Sequence, residues 1–184
     1  MVTPEERRVR GKTGRAAVQR GVQPRRPLVT RWRRPAVPCE RMVKEIDLRV
    51  PTTAARQLVD ITEPVREAVR GSGVAAGICH VFVAGATAAI VVHEGDDPAL
   101  KEDLLDLLDR VVPEGRWRHD RIDDNGAAHL RSAWLSPSET LPVRRGDLAL
   151  GTWQRIFLCE FDGPRSARGL LVTVIGEVTA SPAM

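Results

Sequence analysis

The chain has 184 residues, 42% of them hydrophobic and 28% charged, with a net charge of +4 and a pI of about 9.5. This is the size and balance of one globular domain, and it excludes two large domains or a membrane-embedded chain. The basic pI invites a nucleic-acid reading, but the charge is uneven. Residues 1–41 hold 12 of the 28 basic residues and only 3 acidic ones, so residues 42–184 are mildly acidic.

In chain order, residues 1–41 read as a basic extension rich in Arg and Pro, too poor in apolar residues to offset the entropy of ordering. Three readings compete: a nucleic-acid or acidic-surface contact, an address, or an inert solvated extension or a start assigned upstream of a true Met42. Composition favours the third. No apolar core of a secretory signal is present, and Glu5 and Glu6 count against a transit peptide. Nucleic acid is not an expected partner of the body.

The body opens with Lys44–Val50, where Ile46, Leu48 and Val50 alternate with charged residues as in a half-buried strand. Thr62, with Pro64 in the first turn, predicts a helix start, and Val65, Ala68 and Val69 give its apolar stripe before Gly71 and Gly73 end it. Gly77–Ala84 and Thr87–His93 read as central strands broken at Gly85. Asp97 and Pro98 predict the N-terminus of a helix whose stripe is Leu100, Leu104, Leu107, Leu108 and Val111. Residues 113–125 are polar and loop-like, and Gly126–Leu135 fits a short helix carrying His129. Strands follow at Thr140–Val143, Leu148–Phe161 and Leu170–Val178, with a turn at Arg144–Asp147. Irregular interleaving of strands with two or three helices predicts an α+β fold with a largely antiparallel sheet or sandwich.

Cys39, Cys79 and Cys159 form no CxxC pair, so a reduced, cytoplasmic protein is expected. The longest mostly apolar stretch, Val81–Val92, is short of the roughly 20 residues a membrane helix needs, so no membrane partner is expected. No P-loop, dinucleotide fingerprint or nucleophile elbow is present.

The chemistry-bearing residues concentrate near the polar loop. His119 and His129, with Asp120, Asp123 and Asp124 between them, could ligate a divalent metal, although a surface loop that happens to hold two histidines is the plainer reading of their spacing. His80, within an apolar strand, fits a hydrogen-bonded core or interface residue; His93 could face a site or solvent. Alternation along Gln154–Glu160 puts Glu160 on the face of Ile156 and Leu158, where a carboxylate needs a partner.

Taken together, Asp60-Ile61-Thr62, Ser72-Gly73-Val74, Thr87-Ala88-Ala89, Glu94 with Asp97-Pro98, Arg118-His119-Asp120, Asp124-Asn125, Ala128-His129-Leu130, Leu141-Pro142-Val143 and Gly151-Thr152-Trp153-Gln154 resemble the YjbQ-like secondary thiamine-phosphate synthase family. The resemblance covers about Met42 to Glu177 and makes 42–184 the domain. It implies a compact α+β homotrimer with a site near the subunit interfaces, a divalent metal (zinc or magnesium) on His119 and His129, and small phosphorylated substrates. The implied activity is a transferase that joins an aminopyrimidine diphosphate to a thiazole phosphate and releases pyrophosphate. Asp120 and Asp124 would orient or ligate, Asn125, Thr87 and Gln154 would hydrogen-bond substrate or metal-bound water, and Glu160 joins them as a site candidate on its strand position. The chain departs from the family's His-Thr-Thr or His-Thr-Ser at Gly85-Ala86-Thr87. The alternative is a non-catalytic trimer that binds a metal or small anion through a degraded site.

Overall fold

The computed structural model describes residues 40–178. Residues 1–39, which include Cys39 and all of the basic extension but its last two residues, and the last six residues lie outside them. The eight strands are β1 (Arg41–Thr52), β2 (Gln57–Asp60), β3 (Val74–Val83), β4 (Ala88–Glu94), β5 (Ser138–Arg144), β6 (Asp147–Leu148), β7 (Gln154–Glu160) and β8 (Arg165–Val178). Three α-helices, α1 (Thr62–Ser72), α2 (Pro98–Val111) and α3 (Gly126–Leu135), and a 3-10 turn at Arg118–Arg121 complete the described elements. All pairings are antiparallel, in a five-stranded sheet of order β1-β8-β3-β5-β6 and a three-stranded sheet of order β2-β7-β4. The α+β expectation holds.

Alternation decides which faces meet. Ile46, Leu48 and Val50 of β1, Leu170, Val172 and Val174 of β8, Cys79 and Val81 of β3 and Leu141 and Val143 of β5 point the same way, and they share one core with Ile90, Ile156 and Leu158 of the smaller sheet and with Val65 and Val69 of α1. The other face of the smaller sheet has its own cluster, in which Ala89, Cys159 and Phe161 meet Leu108 of α2 and Ala128 of α3. The small sheet is therefore covered on both sides. β7 is its central strand and β4 its edge, whereas the sequence suggested a central β4; burial of Ala88, Ala89 and Ile90 on both faces explains why the run looks central.

The helix signals are partly redistributed. At α2, Asp97 caps as expected, its Oδ1 accepting from Ala99 N at 2.9 Å, with Pro98 in the first turn. At α1 the cap is Ile61 by position. Asp60 Oδ1 accepts from Thr62 N at 2.8 Å, and the Thr62 hydroxyl instead accepts from Ile156 N at 2.9 Å, tying the helix start to β7. Gly73 ends α1 with φ 75°, while Gly71 stays inside it. The Arg145-Gly146 turn has positive φ at both residues, as two-residue hairpins prefer. The long run 148–161 is not one strand: it breaks over Ala149–Trp153 between β6 and β7.

Gly77 on β3 faces Gly176 on β8. A Cβ on Gly77 would stand 2.0 Å from the carbonyl oxygen of Ile175, and one on Gly176 would stand 2.2 Å from that of Ala76. Both must be glycine because the strands cross closely beside a register shift between Val74 and Ala76.

Candidate functional site

Residues 113–125, whose regular structure is the 3-10 turn at Arg118–Arg121, are held by two anchors, the buried Arg131 and the half-buried Asp120. Arg131 of α3, 1% exposed, donates from Nε and Nη2 to the carbonyl of Val112 at 3.1 and 2.8 Å and pairs with Asp109 and Glu114. One guanidinium thereby satisfies a C-terminal carbonyl of α2 and fixes the start of the loop. Asp120 anchors the far end, its Oδ2 accepting from Trp117 N at 2.7 Å and its Oδ1 from Gly126 N at 2.8 Å. A Cβ on Gly126 would stand 2.5 Å from that oxygen and 2.8 Å from Trp117 Cβ, so the clamp needs glycine at the first residue of α3.

Cavities open on either side of this clamp. One, of about 160 Å³, is lined by Glu114, Asp120, Asp124, Asn125, Phe161 and Asp162, together with the backbone around Ala127 and Gly163. Asp124 enters it from a left-handed backbone, φ 52°, which a short carboxylate side chain tolerates. Asn125 donates from Nδ2 to Asp162 Oδ2 at 3.4 Å, and its Oδ1 is buried without a hydrogen-bond partner. The walls offer acceptors and negative charge.

The other cavity, of about 410 Å³, is lined by Arg116, Trp117, Arg118, His119, His129 and Leu130, with Gly126 at its edge. The rings of His119 and His129 meet edge to face, 4.8 Å between centroids. His119 Nε2 is buried without a hydrogen-bond partner, and the nearest carboxylate oxygen, on Asp123, is 3.9 Å away. Trp117 is fixed by donating from Nε1 to the carbonyl of Pro113 at 2.6 Å. Among the described residues no three His, Cys, Asp or Glu side chains come together in a metal-ligating arrangement. His119 and His129 are together, but the two of them fall short of a ligand set within one chain.

Thr87 and Glu160 lie elsewhere, where the β3–β4 turn meets the end of β7. Glu160 is fully buried, its Oε2 accepting from Arg168 Nε at 2.6 Å and from the Thr52 hydroxyl at 3.1 Å, its Oε1 accepting from Arg168 Nη2 and from the backbone N–H groups of Phe161 and Asp162. Burial pushes the Glu160 carboxyl up, but the Arg168 guanidinium and these donors outweigh it and hold it below the usual carboxylate range. Arg168 Nη2 also donates to the Thr87 hydroxyl at 3.0 Å, and a Cβ on Gly85 would stand 3.0 Å from Arg168 Nη1. The guanidinium thus lies against the Gly85-Ala86-Thr87 turn.

Gln154, at the opposite end of β7 from Glu160, is exposed, and its Oε1 accepts from Gly151 N at 2.8 Å, closing a turn. His93 is half-buried beside the carbonyl of Glu94, 3.2 Å from Nδ1, and His80 pairs through Nδ1 with the Thr140 hydroxyl at 2.9 Å. Burial pushes the thiols of Cys79 and Cys159 up to about 12, leaving neither reactive.

Sequence reasoning missed Arg168, Arg131, Asp162 and the arginines of the loop. Arg168 was within reach: it has the same parity as Leu170, Val172 and Val174, so extending the β8 alternation by two residues turns it inward toward Glu160.

No described helix is long and apolar enough to cross a membrane. The profile of the family described as "UPF0047 protein YjbQ-like" matches residues 46–177. A UPF0047 protein of Archaeoglobus fulgidus is 40% identical over 124 residues, 67% of this chain and 95% of that one. UPF0047 protein YugU of Bacillus subtilis is 37% identical over 65% of this chain and 90% of its own length. A crystal structure of a YbjQ-like protein of unknown function from Sulfolobus solfataricus superposes with a TM-score of 0.73 at 44% identity, covering 75% of this chain and all of that one. With this sequence match, the paired sheets and the loop preceding α3, the chain belongs to the YjbQ/UPF0047 family.

Proposed function

We propose that the protein is a thiamine-phosphate synthase-type transferase acting on small phosphorylated substrates, with its site at the loop preceding α3. The observation that carries this reading is that two cavities flank the Asp120–Gly126 clamp, one lined by Asp124, Asn125 and Asp162 and the other by Arg116, Arg118, His119 and His129 beside apolar surface. An aminopyrimidine ring presents N–H donors and becomes more positive as its diphosphate departs, which suits Asp124 and the unpartnered Asn125 Oδ1. The departing pyrophosphate suits a wall of arginine and imidazole. In the reaction the C–O bond to the diphosphate breaks, the electron pair leaves with pyrophosphate, and the thiazole nitrogen forms the new C–N bond. Fixed charges placed where charge develops lower such a barrier without reorganising. Among the described residues only two imidazoles come together, which falls short of a zinc ligand set.

The homotrimer is part of this proposal. Val43, Ile175, Ile78 and Pro142 form one exposed cross-strand row over β1, β8, β3 and β5, a face suited to self-association. The protein supplied with both substrates and Mg²⁺ is expected to form thiamine phosphate, and Asp124→Asn to slow turnover by about tenfold or more. No product, with or without added Zn²⁺, overturns the reading.

A second reading has its own observation. Glu160 and Thr87 are occupied by Arg168, which leaves these two candidates engaged in a structural contact. A non-catalytic trimer that binds a small anion at the arginine-lined cavity fits that arrangement, and it predicts ligand binding without turnover.

A further inference from the structure

The histidine pair and the arginines beside it do not match the cation that family resemblance assigns there. Arg116 and Arg118 line the same cavity as His119 and His129, and no carboxylate lines its wall. Asp120, the acid closest in sequence to this wall, has each carboxylate oxygen engaged by a backbone N–H, those of Trp117 and Gly126. Neither Arg116 nor Arg118 forms an ion pair or side-chain hydrogen bond among the described residues, a state they share with exposed arginines such as Arg110, but these two line a cavity. Two unpaired guanidiniums oppose a dication and attract an oxyanion, and guanidinium presents the forked donors that phosphate oxygens accept. Trp117, pinned to Pro113, and Leu130 give the cavity an apolar wall beside this charge.

We infer that Arg116 and Arg118, flanking the His119–His129 pair, form a metal-independent oxyanion site for the phosphate or diphosphate of a ring-bearing ligand. His119 Nε2 is buried without a hydrogen-bond partner, and Asp123 Oδ2 stands 3.9 Å from it. The inference deepens the proposed reading, which already sets the departing pyrophosphate against this wall; it adds that Arg116 and Arg118 are the groups that hold the phosphate and that they do so without metal.

The test is calorimetric titration of the full chain, stripped over a chelating resin, with inorganic pyrophosphate at low salt. Binding is expected without added metal and should weaken as salt is raised, because both arginines are exposed. The double variant R116Q/R118Q should bind roughly ten- to a hundredfold more weakly, R116K/R118K should retain part of the affinity, and Arg110→Ala on α2 should match the unaltered protein. Binding that appears only on adding Zn²⁺ or Mg²⁺ overturns the inference, as does binding unchanged in R116Q/R118Q or an absence of binding under both conditions. The metal-free titration of the unaltered protein decides the metal question even if a variant fails to fold. Turnover with arginine-independent pyrophosphate binding would sink this inference and leave the synthase reading standing; arginine-dependent binding without turnover does the reverse.

Discussion

A carboxylate on a strand face shared with Ile156 and Leu158 costs several kcal/mol to bury unless a cation meets it, and Arg168 meets Glu160 with two nitrogens. Removing only the cation leaves the charge stranded, so Arg168→Met should destabilise the fold by about 3–5 kcal/mol. Arg168→Met combined with Glu160→Gln should recover much of that loss, which denaturant titration of the variants measures. The folded Glu160 carboxyl lies below its unfolded value, so its contribution is complete above the ordinary carboxylate range and is lost as pH falls through the depressed folded value. Stability measured from pH 7 downward should therefore fall on acidification, and Glu160→Gln should flatten that dependence. At the same scale, the sequence indicated that Glu160 needed a partner; the partner's identity depended on which β8 residue the packing of the two sheets places opposite.

Elements carry the loop and its cavities. Asp120 satisfies backbone N–H groups on both sides of the bend, so Asp120→Ala should cost about 1–3 kcal/mol and loosen both cavities together. Asn at this position keeps the shape and an acceptor, and should cost less. Thermal unfolding measures the first effect. Pyrophosphate titration reads the second, because a loosened bend displaces Trp117 and the adjacent arginines. By contrast, Asp97→Ala removes an exposed N-cap of α2 far along the chain from the clamp, and should cost about 1 kcal/mol with pyrophosphate affinity unchanged. The two aspartates look alike as sequence signals. Asp97 was legible because capping is a local, repeated pattern, whereas Asp120 closes a bend six residues long and is defined only by where Gly126 arrives.

For the whole molecule, the five-stranded sheet has one face in the core and one face with Val43, Ile78, Phe82 and Ile175 exposed in the single chain. Ile175 lies mid-row between Val43 and Ile78, so Ile175→Lys should break self-association while its outward position spares the core. Sedimentation should show a trimer for the unaltered protein and a smaller species for the variant; a monomeric unaltered protein would remove the trimer from the proposal. Gly77→Ala tests the sheet itself. With a carbonyl 2.0 Å from the new Cβ, β3 and β8 cannot keep their spacing, and the protein should unfold at lower denaturant with the loss spread over the whole sheet.

By itself the sequence determined the α+β class, most strand positions, the capped start of α2 and the short helix bearing His129, because each is written in side-chain period or in a few adjacent residues. It also separated a basic extension from an acidic body, which redirected the meaning of a pI of about 9.5. Only the tertiary structure decided that β4 is an edge, that Thr62 bonds to β7 instead of capping, that Gln154 closes a turn, and that Glu160 and Thr87 meet Arg168 rather than the His119–His129 pair. Those outcomes depend on contacts between residues distant in the chain: Thr62 with Ile156 and Thr87 with Arg168, joined by the pairing of strands and not by any local pattern.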